Sequence, residues 1–242
     1  MDGFQGFDPV DYDPGILPIF PALKAIRNAP VEGLIERPLE AQHSLVVTKL
    51  TPGFDDECVE GLTRIVQDVA AGRRGQVKFL VFDFAHHMER DSEGGHGFGE
   101  LVAAVANLVL GAPVVSVAAV RANLSGADLE LALGCNMVVA EAGRRFSFAA
   151  DPAVSLATYG FLSQKIGFVR AERLMEQGAS LDSEEMSQLL LVKSVMGPGL
   201  GFGGIEQFLS RSLRRHNSAY GIYRAQRIAH PAIFEDDHLR IA

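Results

Sequence analysis

The stretch "SGADLELALGC", from Ser125 to Cys135, has the residue types of a site that activates a carbonyl group. A turn of small residues that leads into a helix leaves backbone N–H groups unpaired and pointing outward. Such donors stabilise the negative charge that develops on a carbonyl oxygen during acyl chemistry. Glu130 follows in an apolar stretch, where desolvation would raise its pKa toward the range useful for proton transfer. The alternative is a glutamate that is solvated at a helix start and favoured there by the helix dipole.

Further ionisable residues offer a second acid or a metal site. Asp151 stands in "FAADP", and an Asp-Pro pair is typical of a surface turn, so its catalytic use is an alternative reading. The loop after residue 84 holds His86 and His87, either of which would suit an acid or base near the same pocket, although a solvated loop histidine is the ordinary case. The loop's other possible ligands are Glu89, Asp91 and His96. Their spacing fits no standard ligand pattern, so no metal is predicted.

The elements that must position these residues alternate between strands and helices. Strands are indicated by β-branched or continuous apolar runs at 43–50, 77–84, 114–120 and 136–142. Between them lie a helix that starts at Asp55–Asp56, an amphipathic helix ending at "GAP" and the short "LELALG" helix. The later chain is mainly helical, with a capping box at Asp182–Glu185 and a last segment over 205–227. This order predicts an α/β fold with a parallel sheet.

Bulk properties limit the classes of function. The chain has 242 residues, a formal net charge of −8 and 48% hydrophobic residues, so it has enough apolar residues for a sizeable core. The negative charge argues against nucleic acid or an anionic membrane as a main partner. Two cysteines predict reduced core residues in a cytoplasmic protein, and neither a signal peptide nor a membrane-length apolar run is present in the sequence.

The segment 114–148 resembles the core of the crotonase (enoyl-CoA hydratase/isomerase) superfamily, with "ELA" at 130–132 matching directly. The order of elements is similar from about residue 43 to 230. The resemblance implies a crotonase-like spiral of βαβ units with a helical C-terminal region. It also implies an acyl-CoA substrate, no cofactor, and a homotrimer or hexamer. We therefore divide the chain into an N-terminal extension (1–40), a spiral core (41–200) and a C-terminal helical oligomerisation region (201–242).

Carried over by position, Glu130 matches the family's first catalytic glutamate. Ala127 stands where a backbone N–H contributes to the oxyanion hole, with Gly126 beside it. The other oxyanion donor follows the strand at 77–84 in the family, which indicates the N–H of Ala85 or His86.

Two departures from the family pattern bear on chemistry. The family's glycine turn has become Gly126-Ala127-Asp128, and its second glutamate falls on Ala150, with Asp151 next. Hydration normally needs two carboxylates, so isomerisation, thioester hydrolysis or decarboxylation is expected rather than efficient hydration, with isomerisation or hydrolysis by one glutamate favoured. The alternative is a non-catalytic crotonase-fold scaffold or binding protein. If Asp128 or His87 fills the pocket that should hold Glu130, the scaffold is favoured.

The C-terminal segment adds two expectations about partners. Its basic residues would suit either CoA phosphates, acids of a neighbouring subunit, or a solvated face that balances an acidic protein; they are Arg211, Arg214, Arg215, His216, Arg224 and Arg227. The same segment resembles the crotonase branch that makes diffusible signal fatty acids. Because that branch acts on acyl-carrier-protein thioesters, an acyl-carrier protein is an alternative carrier to CoA.

Overall fold

The computed structural model of the chain describes residues 32–39, 43–85, 99–148, 155–212 and 221–222. Within them the strands are β1 (Leu34–Leu39), β2 (Ser44–Lys49), β3 (Phe79–Phe84), β4 (Val115–Val120), β5 (Leu124–Ser125), β6 (Met137–Glu141), β7 (Arg145–Ser147), β8 (Ser180–Asp182) and β9 (Ser194–Met196). The helices are α1 (Asp56–Ala70), α2 (Gly99–Gly111), α3 (Gly126–Gly134), α4 (Ser155–Ile166), α5 (Phe168–Glu176), α6 (Ser183–Gln188) and α7 (Gly201–Ser212).

The main sheet has six strands in the order β1-β2-β3-β4-β6-β9. From β2 to β9 every neighbouring pair is parallel, and each parallel connection carries at least one helix. A small second sheet has the order β5-β7-β8. The predicted α/β class and the four predicted strands are therefore confirmed, each strand being slightly shorter than the sequence indicated.

The main sheet is covered on both faces, which explains its nearly all-apolar strands. Alternate residues of β3 enter different cores: Leu80 and Phe82 join the core with α1, α2 and α3, whereas Phe79 and Val81 pack in a second core. Ile205 and Leu209 of α7 belong to that second core. A side chain's position along its strand thus decides which helical layer it contacts.

Strand β1 lies in the N-terminal extension, where the sequence indicates no strand. It pairs antiparallel with β2, Leu34 opposite Lys49 and Leu39 opposite Ser44. The "ERP" at Glu36–Pro38 hides the strand in the sequence. An edge strand tolerates polar residues and proline because only one of its sides needs a partner.

Local signals for the helices are largely confirmed. Asp55 caps α1 by accepting a hydrogen bond from the Cys58 N–H, and the capping box of α6 at Asp182–Glu185 is present. α3 begins at Gly126, three residues before the predicted "LELALG" helix. The small residues that precede Leu129 are already part of the helix. α7 starts at Gly201 and ends within the predicted 205–227 segment; residues 213–220 and 223–227 lie outside the described part.

The two cysteines, Cys58 and Cys135, are buried and form no disulfide with each other, as expected. Burial raises the pKa of the Cys135 thiol to about 12, which makes it an inert core residue. Within the described ranges, no helix has the length and apolar character needed to cross a membrane.

α3 packs closely against α2 and α4 at Gly134. A Cβ added there would lie 2.9 Å from the Ala106 Cβ and 3.4 Å from the Phe161 Cζ. These neighbours belong to the core and have little room to move. Gly134 thus sets the distance at which α3 lies from its two neighbouring helices.

We predict that Gly134→Ala lowers the free energy of unfolding by about 1–3 kcal/mol, because the extra methyl overpacks this contact. Gly111→Ala is the matched control, since a Cβ there meets nothing within 4 Å. The control should change stability by no more than about 1 kcal/mol, and in the favourable direction. Urea denaturation followed by circular dichroism measures both, and equal effects of the two substitutions would contradict the packing argument.

Candidate functional site

The N-terminus of α3 carries backbone donors that are not used by a cap. Gly126 begins the helix with a φ of +52°, a left-handed conformation that a side chain would strain. Ser125 occupies the N-cap position but makes no side-chain cap hydrogen bond. The first N–H groups of a helix, here including that of Ala127, have no acceptor within the helix itself. An N–H group that lacks an acceptor within its helix can donate to a carbonyl oxygen.

Glu130 lies one turn further along α3 and is 0% exposed. Within the described chain, neither of its carboxylate oxygens accepts a hydrogen bond of normal geometry, although the Thr158 hydroxyl of α4 is close enough to lower the pKa somewhat. Burial dominates and raises the pKa of Glu130 to about 8. The expected desolvation is confirmed, and the alternative of a solvated glutamate is wrong because α2 and α4 cover this helix.

Asp128, two residues earlier, has a contrasting environment. Its Oδ1 lies 3.0 Å from the Lys49 Nζ, and both side chains are only 4% exposed. Its Oδ2 accepts a hydrogen bond from the Gly53 N–H at 2.8 Å. Lys49 also donates to the Thr51 carbonyl and lies 4.7 Å from the ring centre of Phe54. This Lys49–Asp128 clamp ties the end of β2 and the turn after it to the first turn of α3.

The clamp stands where the crotonase resemblance has glycine. Its carboxylate is directed toward Lys49 and Gly53, whereas Glu130 has Thr158 of α4 near it. The two acids therefore have different neighbours, and Asp128 contributes a buried ion pair beside the turn instead of open space.

The structure does not place the other predicted site residues beside Glu130: Ala85 lies elsewhere, and His86 and Asp151 are outside the described residues. The N–H of Ala85 donates to the Lys49 carbonyl at 3.0 Å, so it is engaged in extending the β2–β3 ladder. Ala85 lies on the wall of a cavity that Gly126, Ala127 and Glu130 do not line. His86 and Asp151 lie outside the described residues, as do the other loop ligands considered for a metal. Among the residues that the structure does describe, no group of three His, Cys, Asp or Glu could hold a metal ion.

The sequence analysis missed a polar cluster at the carboxyl ends of the parallel strands. Asp83 is 0% exposed in β3 and accepts two hydrogen bonds from Arg121, which directly follows β4. Glu141 ends β6 and accepts from Arg144. The available signal was one acid in each of two otherwise apolar strands, "FLVFDF" and "MVVAE". A buried acid in such a strand requires a partner, and a neighbouring strand end is where a partner is found.

No protein-family model matches the sequence, and no curated protein matches it either. Solved structures do match. An enoyl-CoA hydratase from Mycobacterium avium subsp. paratuberculosis K-10 is 18% identical, with a TM-score of 0.71 over 86% of this chain and 88% of that chain. DspI of Pseudomonas aeruginosa is also 18% identical, with a TM-score of 0.69 over 85% of this chain and 84% of that chain.

A methylmalonyl-CoA decarboxylase, whose structure holds 2S-carboxypropyl CoA, is 11% identical, with a TM-score of 0.67 over 86% of each chain. At such identities the likeness concerns the fold. The chain has the α/β fold of the enoyl-CoA hydratases and isomerases, as the crotonase resemblance predicted.

We predict that Glu130 makes stability fall with rising pH. At a pH below the ordinary carboxyl pKa of 4.5, Glu130 is protonated in both the folded and the unfolded chain. Between pH 4.5 and about 8 it stays protonated only in the folded chain. The unfolded state therefore gains stability over this range, by on the order of a few kcal/mol. Glu130→Gln should remove this loss, measured as the melting temperature against pH.

Glu172→Gln, on an exposed position of α5, is the matched control for loss of one carboxylate. It should leave the pH profile of the wild type unchanged. Parallel profiles for the wild type and Glu130→Gln would show that Glu130 is already ionised in the folded protein.

We predict that Asp128→Asn costs about 3–5 kcal/mol of stability, because it leaves the buried Lys49 ammonium without its counter-charge. Adding Lys49→Met should recover a large part of this cost, since the double variant buries no charge. Chemical denaturation of both single variants and the double variant gives the coupling energy. Additive effects would mean that the two groups do not interact as an ion pair.

Proposed function

We propose that this chain is a divergent member of the crotonase (enoyl-CoA hydratase/isomerase) superfamily. In this proposal it binds an acyl thioester at the N-terminus of α3. It acts as an isomerase or a thioester hydrolase with Glu130 as its one glutamate for proton transfer, and efficient hydration is not expected.

One observation carries the proposal. A fully buried glutamate without a normal hydrogen-bond partner in the described chain lies one turn from backbone donors that no cap uses. A buried carboxyl group in this state destabilises the fold whenever it ionises, so it is costly for a purely structural role. Groups with such shifted pKa values are concentrated at functional sites, because proton transfer is most efficient when the pKa lies near the working pH.

In the proposed reaction, the Ala127 N–H donates to the thioester carbonyl oxygen. That bond strengthens as the oxygen gains negative charge in the transition state. For isomerisation, the Glu130 carboxylate removes a proton from the carbon next to the carbonyl and returns it further along the acyl chain. For hydrolysis, it takes a proton from the attacking water as the C–O bond forms, and returns it to the departing thiolate when the C–S bond breaks, giving the free acid and the thiol. Both reactions need the ionised form, so turnover should rise with pH toward the Glu130 pKa of about 8.

Several finer assignments remain part of the proposal. His86 would supply the second oxyanion donor, because the Ala85 N–H is engaged by Lys49, and Asp151 would act as a displaced second acid. Acyl-CoA is the proposed substrate, since the decarboxylase with a similar fold holds a CoA derivative. An acyl-carrier-protein thioester is the alternative substrate. We further propose a cytoplasmic location, a homotrimer or hexamer, and no need for a cofactor.

A second candidate function is a non-catalytic scaffold or binding protein with the same fold. The Lys49–Asp128 clamp favours it, because it places buried side chains beside the turn where the family has only glycine. Added side-chain atoms at this turn reduce the space for a thioester. Glu130 being 0% exposed is also consistent with a closed core.

We predict that titration calorimetry detects binding of acyl-CoA thioesters, including crotonyl-CoA, to the wild type. Glu130→Gln should bind with similar affinity, because the amide occupies the same space, but lose about 10²–10⁴-fold in turnover. Glu172→Gln, far from α3 in sequence and exposed, should retain both binding and turnover. The wild-type rate should increase toward an inflection near the pKa of about 8.

The outcomes separate the two candidates. Binding with turnover that Glu130→Gln abolishes supports the enzyme. Absence of heat with every CoA and carrier-protein thioester, from a folded sample, excludes the thioester site and supports the scaffold. Turnover that survives Glu130→Gln would remove Glu130 from the mechanism.

A further inference from the structure

The missed polar cluster forms a row across four parallel strands on one face of the main sheet. In β3, Asp83 is on the same face of the strand as Phe79 and Val81, which pack in the core with α7. Thr48 stands directly opposite Asp83 in the register of β2 and β3. Arg121 after β4 and Glu141 at the end of β6 continue the row at the same edge. Polar groups thus replace the second apolar core at the carboxyl ends of the strands.

Two ion pairs and the Thr48 hydroxyl hold this row together. Arg121 donates from Nε and Nη2 to the two Asp83 oxygens, both at 2.7 Å, and the Thr48 hydroxyl donates to Asp83 Oδ2 at 2.8 Å. Arg144 Nη2 donates to Glu141 Oε2 at 2.8 Å, and the Gly201 N–H at the start of α7 donates to Oε1 at 3.2 Å. Every carboxylate oxygen of the row is therefore already hydrogen bonded.

Arg121, Glu141 and Arg144 line a cavity of about 500 Å³ at the strand ends that is open to solvent. Its wall includes Ala85, Arg121, Asn123, Glu141, Arg144 and Gly201. The Asn123 side-chain oxygen is also used, since it accepts from the Arg145 N–H at 3.0 Å. Each side-chain oxygen on the described wall thus already accepts at least one hydrogen bond.

In contrast, several side-chain N–H groups on the cavity wall have no acceptor among the described residues. Among the described residues, Arg121 donates from Nε and Nη2, and its Nη1 lies 3.7 Å from where a Cβ of Gly201 would be. Arg144 Nε is buried and has no hydrogen-bond partner among the described residues. The Asn123 amide contributes further N–H groups. A wall whose described oxygens already accept hydrogen bonds, and whose guanidinium groups keep N–H groups without a described acceptor, is complementary to a ligand that accepts hydrogen bonds.

We propose that this cavity is a binding site for a small oxyanion, the phosphate or carboxylate group of a metabolite, held between the guanidinium groups of Arg121 and Arg144. The described lining of this site includes none of Gly126, Ala127 and Glu130, and binding there does not depend on the thioester reaction proposed above. Its volume is in the range of small-molecule sites, so it accommodates more than a bare ion. The two arginines are balanced by Asp83 and Glu141, which favours a ligand of low charge over a polyanion.

Titration calorimetry with inorganic phosphate and with malonate, at constant pH and with sodium chloride holding ionic strength constant, tests the site. The two probes distinguish a phosphate from a carboxylate ligand. Arg144→Gln should weaken binding of the preferred probe by at least about tenfold, because it removes a charge-assisted donor. Arg145→Gln is the matched control: it removes the same charge from the adjacent, exposed residue, which does not line the cavity.

A second cavity variant keeps the test decisive if Arg144→Gln does not fold. Asn123→Asp keeps the acceptor for the Arg145 N–H but replaces amide donors by a negative charge, so it should also weaken binding. Saturable binding by the wild type that Arg145→Gln retains and both cavity variants lose supports the site. Absence of saturable binding of both probes to the folded wild type overturns it. Equal weakening by Arg144→Gln and Arg145→Gln also overturns it, because that result indicates general attraction to positive charge.

Discussion

The burial of a parallel sheet on both faces is the constraint on which the rest of this structure depends. Helices α1, α2 and α3 cover one face and α7 covers the other, so polar side chains in the parallel strands lie at or near the strand ends. At the carboxyl ends the chain leaves the sheet and backbone groups become available for other partners. The α3 turn follows β4 at this edge, and the polar row of Asp83, Arg121 and Glu141 lies along it.

Two acids on α3 illustrate how environment assigns different roles to similar residues. Asp128 has a buried lysine and a backbone N–H as partners, so its charge is compensated and it holds β2 against α3. Glu130 is equally buried but lacks such partners in the described chain, and its pKa rises to about 8. The first acid stabilises the turn, and the second is suited to hold or release a proton near neutral pH.

The local chemistry of the elements was predictable because it depends on neighbours in sequence. The apolar strands, the Asp55 cap and the capping box at Asp182 were all indicated and are present. Strand β1 was missed, since an edge strand with Pro38 has no apolar pattern of its own. The use of the Ala85 N–H was equally hidden, because it depends on the Lys49 carbonyl of a neighbouring strand.

The sequence by itself determined the α/β class, the small-residue turn at Gly126 and the apolar surroundings of Glu130, because periodicity and short-range spacing encode them. Only the tertiary structure decided which acid is paired. Lys49 reaches Asp128, and Arg121 reaches Asp83, across long separations in sequence that strand order brings together. The electrostatics of a buried site depend on distances between elements, and no local pattern specifies those distances.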